Sequence, residues 1–130
     1  MIIQPKSGIR PEYYDVDDTL IIYSPKSQQE QTFPKQHFEF EILGEKYDFY
    51  AHVHTLHLKY LRRKAKSGMP IVVWSASGAL WAEKIVEALG LTEFVDIVMG
   101  KPLNVIDDMD PVHWLPQRVY LKKAGCEGGR

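Results

Sequence analysis

The sequence predicts an α/β fold, a largely parallel sheet whose strands are joined by crossover helices. Three observations lead there. Short apolar runs alternate with stretches of helical period. One run, Pro70-Ile71-Val72-Val73-Trp74, is continuously apolar, as expected of a strand covered on both faces. Acidic or small polar residues follow these runs directly, at the strand ends where ligands bind in such sheets.

Each element has its own signal. Residues 1–11 read as an irregular lead-in broken by Pro5, Gly8 and Pro11. A strand from Glu12 to Val16 feeds the acidic stretch Asp15-Val16-Asp17-Asp18. Residues 24–36 are polar, contain Pro25 and Pro34, and read as a loop. His37 to Leu43 and Lys46 to Val53 alternate aromatic or β-branched with polar residues around Gly44-Glu45, a hairpin pattern. His54 to Lys66 reads as a helix, with Leu58, Leu61 and Ala65 inward and Gly68 as its stop. After the apolar strand, Ser75-Ala76-Ser77-Gly78 forms a small-residue turn with Ser77 as the expected N-cap. The helix Ala79 to Leu89 follows, with Leu80, Ile85, Val86 and Leu89 as its apolar side. Three further strands are expected at Phe94 to Met99, Leu103 to Ile106 and Arg118 to Leu121, then a mobile tail over 122–130. The whole, 1–130, reads as one domain, with residues 24–54 inserted as a flap.

Composition narrows the function. A chain of 130 residues with 45% hydrophobic and 25% charged residues has the profile of an ordinary globular domain. A net charge of -1 provides no bulk attraction to nucleic acid or anionic membrane. No apolar stretch is long enough to span a bilayer and the N-terminus lacks a secretory pattern, so a cytoplasmic location and no membrane partner are expected. The single cysteine, Cys126, cannot form an internal disulfide and has no base near it in sequence.

The chemistry is concentrated at four strand ends. Strand alternation puts Asp15 and Asp17 on one side, with Val16 facing away. Two carboxylates that close repel unless a cation or a proton lies between them. The bland alternative is a solvated acidic turn. Ser75 stands at the end of the apolar strand. Its hydroxyl and the amides of Ala76 and Ser77, near a helix start, suit a phosphate; a mere capping serine is the alternative. Lys101, in Gly100-Lys101-Pro102, places a cation in a loop after the next strand, and such a tripeptide is otherwise ordinary. Val105-Ile106 then leads into Asp107-Asp108, hard oxygen donors of the kind Mg²⁺ takes. Asp110, before Pro111, reads as a turn residue or a third acidic neighbour.

Asp15-Val16-Asp17-Asp18-Thr19-Leu20, Ile71-Val72-Val73-Trp74-Ser75, Lys101-Pro102 and Val105-Ile106-Asp107-Asp108, in that order, resemble the four motifs of the haloacid dehalogenase (HAD) superfamily of phosphotransferases. The resemblance implies a three-layer Rossmann-like sandwich with a mainly parallel five-stranded sheet, a β-hairpin flap and no cap domain. It implies an Mg²⁺-dependent phosphomonoester hydrolase. Asp15 is the implied nucleophile, forming an aspartyl-phosphate, and Asp17 the acid/base. Ser75 and Lys101 contact the phosphoryl group, with the Ala76 and Ser77 amides. Asp15, Asp17 (through its main-chain carbonyl), Asp107 and Asp108 hold the metal. The second aspartate favours phosphatase over dehalogenase. Two departures stand out: only Pro102 to Ile106 separate Lys101 from the last acidic pair, and no cap domain is inserted. An open site suits a large or macromolecular phosphoester, or a partner that supplies the missing lid; a small metabolite or nucleotide and a phosphorylated nucleic-acid end are the two substrate classes expected.

Other features have plainer readings. His37, His52, His54 and His57 invite a metal site but read better as flap and surface residues. Phe38, Phe40, Tyr47, Phe49 and Tyr50 fit either the hairpin's inner face or a base-stacking surface. Lys59, Arg62, Arg63, Lys64 and Lys66 form a solvated helix face or a nucleic-acid contact. Two alternatives of another class remain: a non-catalytic phospho-binding module, and a receiver-like domain phosphorylated on an aspartate. The D-x-D-D-T-L spelling disfavours the receiver, which does not use a second Asp at i+2.

Overall fold

The computed structural model describes residues 10–110 and 118–122. Its elements are β1 (Glu12–Asp15), β2 (Ile21–Ile22), α1 (Gln28–Thr32), β3 (Lys35–Ile42), β4 (Glu45–Val53), α2 (Thr55–Lys66), β5 (Ile71–Ser75), α3 (Ala79–Ala88), a 3-10 turn (Thr92–Phe94) and β6 (Ile97–Gly100). They make two sheets. One is parallel, in the order β1-β5-β6; the other is antiparallel, in the order β2-β4-β3.

The parallel sheet is built as the apolar runs require. Ile71, Val72 and Val73 are buried, and β5 takes the central place, pairing Asp15 with Trp74 on one side and Gly100 with Ser75 on the other. These registers bring the ends of β1, β5 and β6 level, which places Asp15, Ser75 and the start of the Lys101 loop at one rim. The strand expected to reach Val16 stops at Asp15, and Val16 is fully buried in the loop that follows.

The helices follow their pattern with adjustments. α2 buries Leu58 and Leu61, and His57 joins them. It ends where expected: Gly68 adopts φ 94°, and the Met69 amide returns to the Lys64 carbonyl. α3 buries Ala82, Ile85 and Val86, with Leu89 buried just past its end, whereas Leu80 is turned outward. Gly78, not Ser77, occupies the cap position of α3 and supplies no side-chain bond, because Ser77 Oγ is directed to Asp17.

Among the described residues the parallel sheet has three strands rather than the five expected. Leu103–Ile106 forms no strand: Leu103 and Ile106 are fully exposed, and no neighbour among the described residues supplies a ladder. Arg118–Leu121 forms none either, because its backbone is taken by side chains, Leu121 N–H by His57 and Leu121 C=O by Gln29. The strand expected over Phe94–Met99 is β6, shorter and shifted, since Thr92–Phe94 turns as 3-10 helix. The loop expected over 24–36 holds α1, capped by Ser27 Oγ accepting from the Glu30 amide.

The hairpin forms with its turn one residue earlier than read. Leu43 (φ 50°) and Gly44 (φ 83°) are the two turn residues, both left-handed, as a tight right-twisted hairpin requires. It is not a detached flap, because β4 also pairs with β2 and so ties it to the acidic loop. Its inner face carries Phe38, Phe40, Tyr47 and Phe49; Tyr50 lies on the outer face, stacked on His37. Cys126 and most of the 122–130 tail lie outside the described residues, as does the lead-in before Arg10. Among the described residues no helix is long and apolar enough to cross a membrane.

Candidate active site

The loop after β1 is wound tightly around one carbonyl. Val16 C=O accepts from the amides of Thr19, Leu20 and Ile21, and Asp18 takes φ 65° with its amide on Ile21 C=O. This winding turns the chain back into β2 and holds Asp15 and Asp17 at the rim.

Asp15 is gripped on both oxygens. Lys101 Nζ lies 2.9 Å from Oδ1, and Thr19 Oγ donates to Oδ2 at 3.0 Å. The short segment after Lys101 therefore does not keep the lysine away from the first motif. Its backbone is anchored too, with Lys101 N–H donating to Ser75 C=O at 2.9 Å, and its ammonium sits over the Trp74 ring.

Asp17 receives three donors: Tyr23 OH at 2.6 Å and Trp81 Nε1 at 3.2 Å on Oδ1, and Ser77 Oγ at 3.3 Å on Oδ2. All three hold the carboxylate in place at the rim. Burial, then the bond to Asp17, pushes the Tyr23 phenol well above its ordinary range, so it stays a donor. Trp81 is aimed by packing. Its ring stacks on Phe49 (5.6 Å, 16°) and meets Phe40 and Tyr47 edge-on. The aromatic face of the hairpin thus sets the direction of an indole N–H at the site.

Ser75 is buried, and its Oγ accepts from Ser77 N–H at 2.9 Å. The Ser77 amide is therefore engaged within the turn rather than directed outward. Ala76 is exposed at the same turn. Beside it runs a groove of about 550 Å³ lined by Ile42, Leu43, Tyr47 and residues 77–81.

The last acidic pair stands outside the regular elements. Asp107 and Asp108 lie in an exposed irregular segment. The Met109 amide donates to Asp107 at 2.9 Å; this bond, then Asp108, holds the Asp107 carboxyl below the usual range. Among the described residues the four aspartates do not converge as a ligand set. The group that does is His37, Glu39 and Asp48 on the hairpin's outer face, with ligand atoms within 4.8 Å. The other histidines have structural partners: His52 Nδ1 meets Phe33 C=O, and His54 and His57 stack face to face at 3.5 Å. Of the basic helix face, Arg63 and Lys64 lie over Tyr60 and Lys66 over Phe94.

Thr19, Tyr23 and Trp81 complete the site, and none was singled out from sequence. Thr19 was within reach of such reasoning, being four residues from Asp15 in a tight loop. Tyr23 and Trp81 were not, because only the meeting of β2, the hairpin and α3 brings them to Asp17.

An α/β sheet that presents a lysine-paired aspartate and a second aspartate two residues on is the scaffold of a HAD-type phosphatase. The chain belongs to the NLI interacting factor-like phosphatase family, whose model matches residues 14–99. That family of small phosphatases lies within the HAD superfamily, and the protein is accordingly a phosphatase. No curated protein and no solved structure gives a match.

Proposed function

We propose that the protein hydrolyses phosphomonoesters through an aspartyl-phosphate on Asp15. The observation that carries this reading is the double grip on Asp15: Lys101 at 2.9 Å on one oxygen, Thr19 at 3.0 Å on the other. A carboxylate so held is oriented for in-line attack and has a cation beside the position a phosphoryl oxygen would take. In the first step an Asp15 oxygen bonds to phosphorus, the bond to the leaving oxygen breaks, and Asp17 donates a proton to that oxygen. In the second step Asp17 takes a proton from water, the resulting oxygen attacks phosphorus, and the Asp15–phosphorus bond breaks to release inorganic phosphate. Tyr23, Ser77 and Trp81 orient the Asp17 carboxyl group for both proton transfers.

HAD-type phosphatases generally use Mg²⁺. Asp15 Oδ1 already faces a cation, the Lys101 ammonium, and is the kind of hard oxygen donor Mg²⁺ prefers. Asp15 and the Asp17 main-chain carbonyl would hold the ion, joined by Asp107 and Asp108. β1 is an edge strand of the parallel sheet, and Val105-Ile106, the apolar residues before Asp107, are exposed. Docking of that segment on the β1 edge would bury them and carry the two aspartates to the rim. When bound, the ion would neutralise charge on the phosphoryl oxygens.

The substrate falls in one of two classes, a small phosphorylated metabolite or nucleotide, or a phosphorylated nucleic-acid end. A screen over sugar phosphates, nucleotides, phosphopeptides and 3′- or 5′-phosphorylated oligonucleotides separates them. The test of the mechanism is Asp15→Asn on a generic aryl phosphate. Turnover should vanish while the circular dichroism spectrum is kept; undiminished turnover would sink the assignment.

A further inference from the structure

His57 stands apart from the reacting groups yet is buried and held at both ring nitrogens. It is 4% exposed, on the first turn of α2. Both ring nitrogens meet main-chain groups whose roles are not adjustable. Leu121 N–H, which can only donate, lies 2.9 Å from Nε2. Thr19 C=O, which can only accept, lies 2.7 Å from Nδ1. The ring is therefore the neutral tautomer protonated on Nδ1.

Thr19 is the residue whose hydroxyl donates to Asp15. A continuous chain of bonds thus runs from Leu121 N–H to His57, from His57 to the Thr19 carbonyl, and from the Thr19 hydroxyl to the nucleophile. Its far end is well anchored. Gln29 Nε2 donates to Leu121 C=O at 3.1 Å, and Tyr120 OH donates to buried Glu30 at 2.6 Å. The Tyr120 ring stands edge-on to both stacked imidazoles.

We propose that His57 is a positioning residue for the phosphatase reaction, holding Thr19 so that its hydroxyl orients Asp15, and that the 118–122 segment stabilises the imidazole in the required tautomer. The inference rests on Asp15 being the nucleophile. It also makes the coupling acid-sensitive. An imidazolium would turn an Nε2–H donor against the Leu121 N–H donor and break the link at that end. The groups facing His57 are His54 from the start of α2, the Thr19 carbonyl from the acidic loop, and Tyr120 and Leu121 from the C-terminal segment. Gln29 and Glu30 of α1 hold that segment from behind. No carboxylate touches the ring directly among these contacts; burial disfavours the charged form, and the bond to the Thr19 carbonyl opposes that only in part.

Two isosteric substitutions separate the two bonds, because an Asn amide nitrogen overlays Nδ1 and a Gln amide overlays Nε2. The experiment compares His57→Asn and His57→Gln in the full chain, using an aryl phosphate with Mg²⁺. His57→Gln keeps the acceptor for Leu121 but loses the donor to Thr19, and kcat should fall about tenfold with KM unchanged, the scale of one orienting hydrogen bond. His57→Asn restores the donor to Thr19 and should recover kcat to within about threefold of wild type. Nitrogen-15 shifts of the imidazole should report the Nδ1–H tautomer, and the Thr19 and Leu121 amides should titrate together with His57. Equal losses in the two variants, or a fall confined to KM, would overturn the proposal. If the wild-type chain has no turnover, the phosphatase mechanism fails, and NMR decides the coupling: a response at Leu121 with none at Thr19 overturns it.

Discussion

Lys101→Met separates a catalytic cation from a structural one. The side chain is close to isosteric, so the change removes charge and little volume. The Lys101–Asp15 pair is 2.9 Å apart, with side chains 37% and 30% exposed. Coulomb's law puts their attraction at about 1.4 kcal/mol in water and about 6 kcal/mol at an effective dielectric of 20. Desolvation and side-chain ordering oppose it, so a pair this exposed contributes only about 0–1 kcal/mol to folding. Stability by urea denaturation should therefore change by about 1 kcal/mol or less. Catalysis is a different quantity. A cation that meets charge developing on the phosphoryl oxygens lowers the barrier by about 2.7–4 kcal/mol, the range for one preorganised electrostatic group. Single-turnover hydrolysis of an aryl phosphate should then slow by about 10²- to 10³-fold. A kinetic loss below about threefold would refute the catalytic role. So would a stability loss comparable to the kinetic one, since that would make Lys101 a buttress for the loop.

Trp81→Phe keeps a ring against Phe49 but removes the indole N–H from Asp17. Turnover should fall by about three- to tenfold while the thermal midpoint moves by a few degrees at most, as steady-state kinetics and calorimetry would show. Leu43→Asn should stabilise the hairpin by about 0.5–1 kcal/mol, because Leu43 is 91% exposed at φ 50°, where asparagine is far better tolerated; a lower denaturation midpoint would contradict this. Burial holds the His57 pKa below its ordinary 6.5, so the unfolded chain binds that proton more readily. The stability it contributes is complete above pH 6.5 and is lost as pH falls through the folded value. Urea midpoints should decline from pH 7 toward pH 5, and His57→Asn should flatten that decline.

Much was legible before any coordinates. The apolar run at 71–74 read as a covered strand, and it is the central strand of the parallel sheet among the described residues. The period of 54–66 and the glycine after it marked α2 to within a residue. The hairpin announced itself by alternation, although Leu43 in a left-handed turn position gave no compositional sign. Short, weakly patterned segments were misread. Ser27 capped a one-turn helix inside a stretch that looked like pure loop. Residues 103–106 and 118–121 had strand composition without a strand partner, and a strand exists only when another supplies its hydrogen bonds.

The candidate site divides in the same way. Sequence alone determined which residues could carry phosphoryl chemistry and that three of the four groups stand at or just beyond strand ends, because local periodicity decides where a strand stops. It also predicted Asp15 and Asp17 on one side by alternation, but β1 ends at Asp15, and the wound loop rather than strand alternation places Asp17. Tertiary structure decided their partners. Lys101 reaches Asp15 because β1, β5 and β6 end level. Tyr23 and Trp81 reach Asp17 because an aromatic hairpin face packs against α3. His57 reaches Thr19 and Leu121 across 38 and 64 residues of chain. A hydrogen bond between residues so far apart depends on distances that only packing sets, and no local pattern encodes them.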